Sequence, residues 1–190
     1  MFLSDSSRIV LLEPVYSIDS LGMYFALLLV DSLPEEWVSL ATELKKNRRF
    51  FIQFFKPDCI VSEIIPFLAY NVHQAFKHGY NVLRGFEQEL LVALYGKRSF
   101  QEASCMLGAS VSQRAAILVI SEDAAVLREA LNALKEEFSK MGLSLEPFQE
   151  DEKLFTSFWR NLFSKDFNVD ALNYSDVLEL VKERIALLYV

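Results

Sequence analysis

Few residues in this sequence could carry out catalysis or bind a metal. It contains two histidines, His73 and His78, and two cysteines, Cys59 and Cys105. The histidines lie five positions apart, which is about 500° of helical rotation, so they would not share a helix face as metal ligands at i and i+4 do. The sequence has no phosphate-binding glycine loop, zinc-binding cysteine pair or nucleophile elbow. We therefore expect neither a metal nor a cofactor.

Glu89 is the carboxylate that could act as a general base, because it lies beside the apolar residues Leu90, Leu91 and Leu94. No second catalytic group accompanies it. A salt bridge with a nearby cation such as Arg98 is the simpler explanation of a glutamate at the edge of an apolar stripe. A small hydrolase or transferase that uses Glu89 with a histidine remains the alternative from the enzyme class.

A group of cationic and polar residues provides a different kind of candidate site. Its members lie at or near predicted helix ends: Lys77, Asn81, Arg84, Lys97 and Arg98. If the helices form antiparallel hairpins, these residues divide between the two ends of the bundle. Such a group could hold phosphates while Tyr80 or Tyr95 stacks on an unpaired base. Cations near helix C-termini also interact favourably with the helix dipole without any ligand, so spacing alone leaves both explanations open.

The composition is that of a globular protein. Of 190 residues, 52% are apolar and 24% are charged, which excludes a disordered or collagen-like chain. Two cysteines cannot build a disulfide framework, and no apolar stretch approaches the roughly 18 residues of a membrane span. The first residues also lack the cationic start of a signal peptide, so we expect a soluble cytoplasmic protein that does not enter a membrane.

Net charge and aromatic content bear on the partners. The net charge of −7 argues against general nucleic-acid binding. The 16 phenylalanines indicate either a phenylalanine-rich core or an apolar surface that is kept for a partner, and the composition does not decide between them.

Local patterns predict the elements that must position these residues. Strands are predicted over residues 8–12, 23–30, 50–55 and 115–120. Helices are predicted over residues 35–46, 62–78, 81–95, 99–107, 121–141, 148–163 and 174–188. Ser62 and Asn81 are predicted N-caps, and Ser99 with Glu102 forms a predicted capping box. Because strands and helices interleave without strict alternation, we expect a mixed α/β (α+β) fold. We expect one domain over residues 1–190, with a small central sheet packed against several helices.

One part of the sequence carries a recognisable series of residues. The series comprises Asn81-Val82-Leu83-Arg84, Glu89-Leu90-Leu91, Gly96-Lys97-Arg98, Glu102-Ala103 and Gly108-Ala109. It resembles the kinase-binding, tRNA-recruiting subunit of the KEOPS complex (TPRKB-like), in its archaeal form. Residues 51–61 and 180–188 are also similar, so the resemblance covers about residues 50–120 and 174–188. Residues 1–22 and 146–170 have no clear counterpart, and the family's Arg-Gln-Ile is here Arg98-Ser99-Phe100.

The resemblance implies a non-catalytic role within one mixed α/β domain. Family members bind the atypical kinase of the KEOPS complex, which helps attach threonylcarbamoyl to adenosine in tRNA. Archaeal members also bind the single-stranded CCA end of tRNA. We expect a chain that is monomeric in isolation. A self-associating, non-catalytic α/β protein is the alternative from a third class.

The resemblance also suggests residues for both contacts. Apolar positions on two predicted helices are candidates for the kinase-facing surface: Phe100, Ala103, Leu107, Ile185 and Leu188. The same five cationic and polar residues are the candidates for the tRNA contact: Lys77, Asn81, Arg84, Lys97 and Arg98. For each apolar position the alternative is an ordinary place in the core.

Overall fold

An antiparallel sheet divides the hydrophobic core into two layers. The computed structural model describes residues 15–46, 49–164, 168–169 and 171–190, so the predicted strand over residues 8–12 lies outside the described residues. The sheet contains β1 (Val15–Ile18), β2 (Met23–Val30), β3 (Phe50–Phe55), β4 (Ala115–Ser121) and β5 (Leu145–Pro147). Its order is β1-β2-β4-β3, and β5 pairs with the far end of β2.

Helices cover both faces of this sheet. They are α1 (Trp37–Lys45), α2 (Ile65–His78), α3 (Phe86–Tyr95), α4 (Phe100–Leu107), α5 (Ala124–Lys140), α6 (Glu152–Phe163) and α7 (Tyr174–Leu187). α1 and α5 pack on one face, and the other five pack on the opposite face. Every residue of β4 is buried, because successive side chains of this central strand enter the two layers in turn. The predicted mixed α/β fold is confirmed.

Strand predictions were more accurate than the predicted helix starts. β2 and β3 have the predicted bounds, whereas β1 and β5 were not predicted. The side chain of Ser62 does not cap α2. Asn81 does not cap α3 either, since that helix begins at Phe86 with Gly85 as its N-cap. The side chain of Asn81 instead donates to the carbonyl oxygen of Leu83 at 2.8 Å.

Two helix starts are capped as expected from their sequences. The Ser99 hydroxyl accepts from the backbone N–H of Glu102 at 3.3 Å at the start of α4. Glu102 does not complete the predicted capping box, because its carboxylate accepts from the Tyr95 hydroxyl at 3.1 Å. At α7, Asn173 and Asp176 form a full capping box.

No helix of the described ranges is both long enough and apolar enough to cross a bilayer.

Candidate functional site

The structure divides the five predicted RNA-contact residues between the two ends of α3. Lys77 and Arg84 lie near its first residues, whereas Lys97 and Arg98 follow its last. A helix of 10 residues is about 15 Å long, so the two cation pairs cannot form one compact patch. The two pairs of cations therefore belong to different regions of the surface.

Lys77 and Arg84 lie at the rim of a cleft with an aromatic floor. The floor is formed by Met23, Phe51, Phe76 and Phe86, and His73 and Glu122 complete the lining. The volume of the cleft is about 530 Å³.

Stacked phenylalanine rings make this floor. The rings of Phe51 and Phe86 stack with centroids 4.3 Å apart, and Phe76 contacts Phe86 at 5.8 Å. Phe51 and Phe76 remain partly exposed. Lys77 and Arg84 are exposed, and neither has a hydrogen-bond or ion-pair partner among the described residues. The cleft therefore combines apolar ring faces with two cations that are free to bind an anion.

Glu89 holds the loop that carries Arg84. The carboxylate has no exposed surface. It accepts hydrogen bonds from the backbone N–H groups of Val82 at 3.0 Å and Leu83 at 2.7 Å, and from the Tyr189 hydroxyl at 2.9 Å. Three donors surround it, as a buried charge requires.

The expected salt bridge of Glu89 is therefore wrong. Glu89 does not form a salt bridge with Arg98, whose guanidinium donates instead to the carbonyl oxygen of Leu188 at 3.4 Å. It also has no histidine partner among the described residues: His73 lines the cleft, and His78 stacks on Tyr80.

The second pair of cations is already in contact with neighbouring groups: Lys97 with Tyr95 on α3, and Arg98 with Leu188 just beyond α7. Lys97 lies 5.7 Å from the centroid of the Tyr95 ring, and Arg184 lies 5.6 Å from the same centroid. Tyr95 is 5% exposed, so its ring is not available to stack on a base. Tyr80, which is 61% exposed, is the more accessible of the two tyrosines singled out in the sequence.

The predicted kinase-facing surface is largely wrong. Ala103, Leu107 and Ile185 have no exposed surface, and Leu188 is 6% exposed, because the apolar faces of α4 and α7 pack into the core. Of the five candidates, Phe100 alone is exposed, at 38%. An apolar stripe predicts that one face of a helix is buried, but it does not reveal which apolar residues lie outside it.

The phenylalanines of the cleft and the exposed apolar residue on α7 were not predicted from the sequence. Phe51, Phe76 and Phe86 come from three separate elements, so no local spacing connects them. Leu187, at 61% exposure, was not selected on α7. An apolar residue outside the three-to-four spacing of its helix is the signal that could have identified it.

Both cysteines are unpaired. The thiol of Cys59 is buried and donates to the carbonyl oxygen of Lys56 at 3.1 Å. Burial raises the pKa of this thiol well above its ordinary value. Cys105 is exposed on α4. Within the described ranges, no group of three or more histidine, cysteine or acidic side chains is arranged to hold a metal ion.

No protein-family model matches the chain. A search of curated proteins likewise finds no significant match.

Proposed function

We propose that this protein is a non-catalytic subunit of a KEOPS-type complex. In this role it binds the atypical kinase of the complex and helps recruit tRNA through the CCA end for threonylcarbamoyladenosine modification in the cytoplasm. The observation that carries the RNA part of the proposal is the cleft between Phe76 and Arg84. There, partly exposed phenylalanine rings adjoin two cations that have no partner among the described residues.

Such a cleft matches the chemistry of single-stranded RNA. Proteins bind single strands by stacking unpaired bases on aromatic rings while cations neutralise the backbone. Phe51 and Phe76 would supply the stacking faces, and Lys77 and Arg84 the phosphate contacts. The net charge of −7 belongs to the whole chain, whereas the field near a phosphate depends on the nearest charges within about one Debye length, roughly 10 Å. At the cleft these are the cations of Lys77 and Arg84 and the carboxylate of Glu122.

The residues of the family resemblance also have specific roles in one structural unit. Glu89 ties the loop before α3, and Gly96 ends this helix at a φ of 70°. Ala103 is fully buried at the contact of α4 with α3. A Cβ at Gly108 would lie 2.5 Å from the carbonyl oxygen of Ser104. These constraints account for the residue types found at these positions in this chain.

The kinase contact is proposed for the outer side of α7 rather than for its buried stripe. A shallow groove between α2 and α7 has a mixed lining. It contains four apolar residues, Phe67, Leu172, Leu180 and Ala186, and five polar or charged ones, Ser175, Asp176, Glu179, Lys182 and Glu183. Leu187 is exposed one residue after Ala186 on α7. These residues can contact a partner without disrupting the core.

The RNA role is tested by fluorescence anisotropy titrations of tRNA, with and without its CCA end, at two salt concentrations. We expect removal of the CCA end to weaken binding at least about tenfold, because one stacked base contributes about 1–3 kcal/mol. The double variant Lys77→Ala with Arg84→Ala should weaken binding similarly. Its salt slope should fall by about 1.4, since each phosphate contact to a single strand contributes about 0.7.

Two controls separate the cleft from general charge effects. Lys97→Ala removes a cation at the other end of α3, and Arg128→Ala removes an exposed cation on α5, across the sheet. Both should bind tRNA within about twofold of the unchanged protein, since a distant exposed charge is screened. Equal affinity for both tRNA forms, or an unchanged affinity in the double cleft variant, would reject the RNA role.

The kinase role is tested by co-purification with the isolated KEOPS kinase. Leu187→Asp should abolish the complex, because a charge at an apolar contact must be desolvated. Leu154→Asp, at an exposed position of α6, should leave it intact. A chain that fails to bind the kinase and elutes as a dimer would favour the self-associating alternative.

A further inference from the structure

The loop between α2 and α3 packs Val82 and Leu83 against the core, but few hydrogen bonds connect it to the rest of the described residues. It runs from Gly79, which has a φ of 74°, to Gly85. Its first residue after Gly79 is anchored by a hydrogen bond from the Tyr80 N–H to the carbonyl oxygen of Ala75 at 2.8 Å. The backbone N–H groups of Val82 and Leu83, next to Arg84, donate to Glu89. The carboxylate is therefore the main hydrogen-bonding link between this part of the loop and the helices.

Tyr189 shares this carboxylate although it lies just beyond α7. Its hydroxyl donates to Oε1 of Glu89, the same oxygen that accepts from the Val82 N–H. The Tyr189 hydroxyl is protonated at neutral pH, as that of an ordinary tyrosine is, so it can donate. Burial and the charge of Glu89 raise its pKa further. The end of α7 and the Arg84 loop are thus joined through one buried group.

We propose that Glu89 and Tyr189 are positioning residues for the cleft, which together hold the loop so that Arg84 stands at its rim. The effect of these two residues on RNA binding rests on the proposed function, whereas their effect on the conformation of the loop does not. Without the tyrosine hydroxyl, Oε1 loses one of its donors in a site that water does not reach. The carboxylate then shifts towards other donors, and its hydrogen bonds to Val82 and Leu83 weaken.

The contact between Tyr189 and Glu89 also connects the binding of a partner at α7 with the binding of RNA in the cleft. A partner that orders the end of α7 stabilises the contact between Tyr189 and Glu89, and so favours the loop conformation that presents Arg84. By linkage, RNA bound in the cleft must favour that partner by the same factor. The two binding surfaces of the proposed function are therefore coupled without any direct contact between them.

The chain offers a closely matched pair of variants. Tyr189→Phe removes the hydroxyl that reaches Glu89 and keeps the ring. Tyr174→Phe removes a hydroxyl at the opposite end of α7, where it donates to Glu63 at 3.2 Å. Both changes delete one hydrogen bond from a tyrosine to a glutamate at an end of α7. Only the hydrogen bond of Tyr189 reaches the carboxylate that holds the Arg84 loop.

Amide hydrogen exchange of the full chain, measured by NMR, tests the loop directly. In Tyr189→Phe we expect the Val82 and Leu83 amides to exchange about tenfold faster, as the loss of a charge-assisted hydrogen bond implies. Amides in β4 should be unaffected, and Tyr174→Phe should leave Val82 and Leu83 unchanged. Unchanged exchange in Tyr189→Phe, or equal acceleration in both variants, overturns the proposal.

Anisotropy with a single-stranded ACCA oligonucleotide tests the link to binding. Tyr189→Phe should weaken the affinity about five- to tenfold, in the range of ordinary coupling between sites. Arg84→Ala should weaken it as well, and adding Tyr189→Phe to it should cause little further loss, because Tyr189 acts through Arg84. Full additivity of the two changes overturns the positioning role. If the unchanged protein does not bind the oligonucleotide, the proposed RNA function fails, and the exchange experiment alone decides the loop proposal.

Discussion

The indole N–H of Trp159 donates to the carbonyl oxygen of Cys59 at 3.1 Å, which fastens α6 to the turn between β3 and α2. Trp159 has no exposed surface, and Phe155 and Phe163 on the same helix are also buried. The stretch over residues 146–170, which has no counterpart in the resemblance, therefore contributes to the main core. Much of the phenylalanine content is accounted for in the same way, because most of the described phenylalanines are buried or partly buried.

Trp159→Phe should lower the free energy of unfolding by about 2–4 kcal/mol. The change leaves the buried carbonyl of Cys59 without its donor and opens space beside Phe163. Urea denaturation followed by circular dichroism measures this loss. Leu154→Ala on the exposed side of α6 should cost less than about 0.5 kcal/mol, and an equal effect of the two changes would contradict the assigned role.

Gly96→Ala should destabilise the protein more than Gly79→Ala. Both glycines end helices with positive φ, so each alanine costs about 1–2 kcal/mol in backbone strain. At Gly96 the added Cβ would also collide with Arg184, whereas nothing lies near it at Gly79. Arg184 cannot easily move, because it is held between the rings of Tyr95 and Phe163.

Thermal unfolding of the two glycine variants isolates this collision. Since the backbone strain is common to both, the additional loss at Gly96 reports the steric contact alone, about 1–3 kcal/mol for an overpacked site. Equal melting temperatures for the two variants would show that Arg184 does not restrict this position.

The stability of the protein should fall with rising pH above about 10, in part because of Tyr189. The pKa of Tyr189 is raised in the folded state by burial and by Glu89, whereas an unfolded tyrosine titrates near about 10. Above that pH the unfolded chain releases a proton that the folded chain retains, so deprotonation favours unfolding. Tyr189→Phe should therefore lose stability less steeply between pH 9 and pH 11. The free energy of unfolding is measured by urea denaturation at each pH. If it falls in parallel in Tyr189→Phe and in the unchanged protein, this would count against the contact between Tyr189 and Glu89.

Only one of the two thiols should react in the folded protein. Cys105 is exposed, whereas Cys59 is buried with a raised pKa and therefore carries almost no thiolate at neutral pH. Titration with Ellman's reagent should detect one thiol in buffer and two in guanidinium chloride. Rapid reaction of both in buffer would show that the region around Cys59 opens readily, and Cys105→Ser identifies which thiol reacts first.

The fold was largely predictable because its strands are strongly patterned. The buried strand β2 is a continuous apolar run, and β3 is apolar except for Gln53. Both are bounded by polar or turn-forming residues, so their limits could be determined locally. β1 and β5 have only 4 and 3 residues and mainly half-exposed or exposed side chains. Such short segments do not contain enough residues for a periodic signal.

The start of α3 shows why the candidate site was harder to predict. Asn81 is a good N-cap by type, and residues 82–85 fit the helical spacing. The helix begins later because the backbone at Gly85 is extended. Glu89 holds the preceding loop through the N–H groups of Val82 and Leu83, and Tyr189 supports that carboxylate from 100 residues away. A partner so distant in sequence leaves no local signal, and the same holds for the three phenylalanines of the cleft.

The edge strand β3 has a consequence for how the protein behaves outside its native state. Its sequence, Phe-Phe-Ile-Gln-Phe-Phe, combines high β-propensity with no charge, which is the composition of segments that stack into amyloid-like sheets. In the folded protein the Phe54 carbonyl is occupied by Gln53 and Ala109, and the ion pair of Lys45 with Glu87 links the flanking helices α1 and α3. Arg49 and Lys56 place a cation at each end of the strand, as gatekeeper residues do. Aggregation during expression or heating should therefore depend on how often α1 detaches, and substitutions that weaken α1 should reduce soluble yield more than their effect on global stability would suggest.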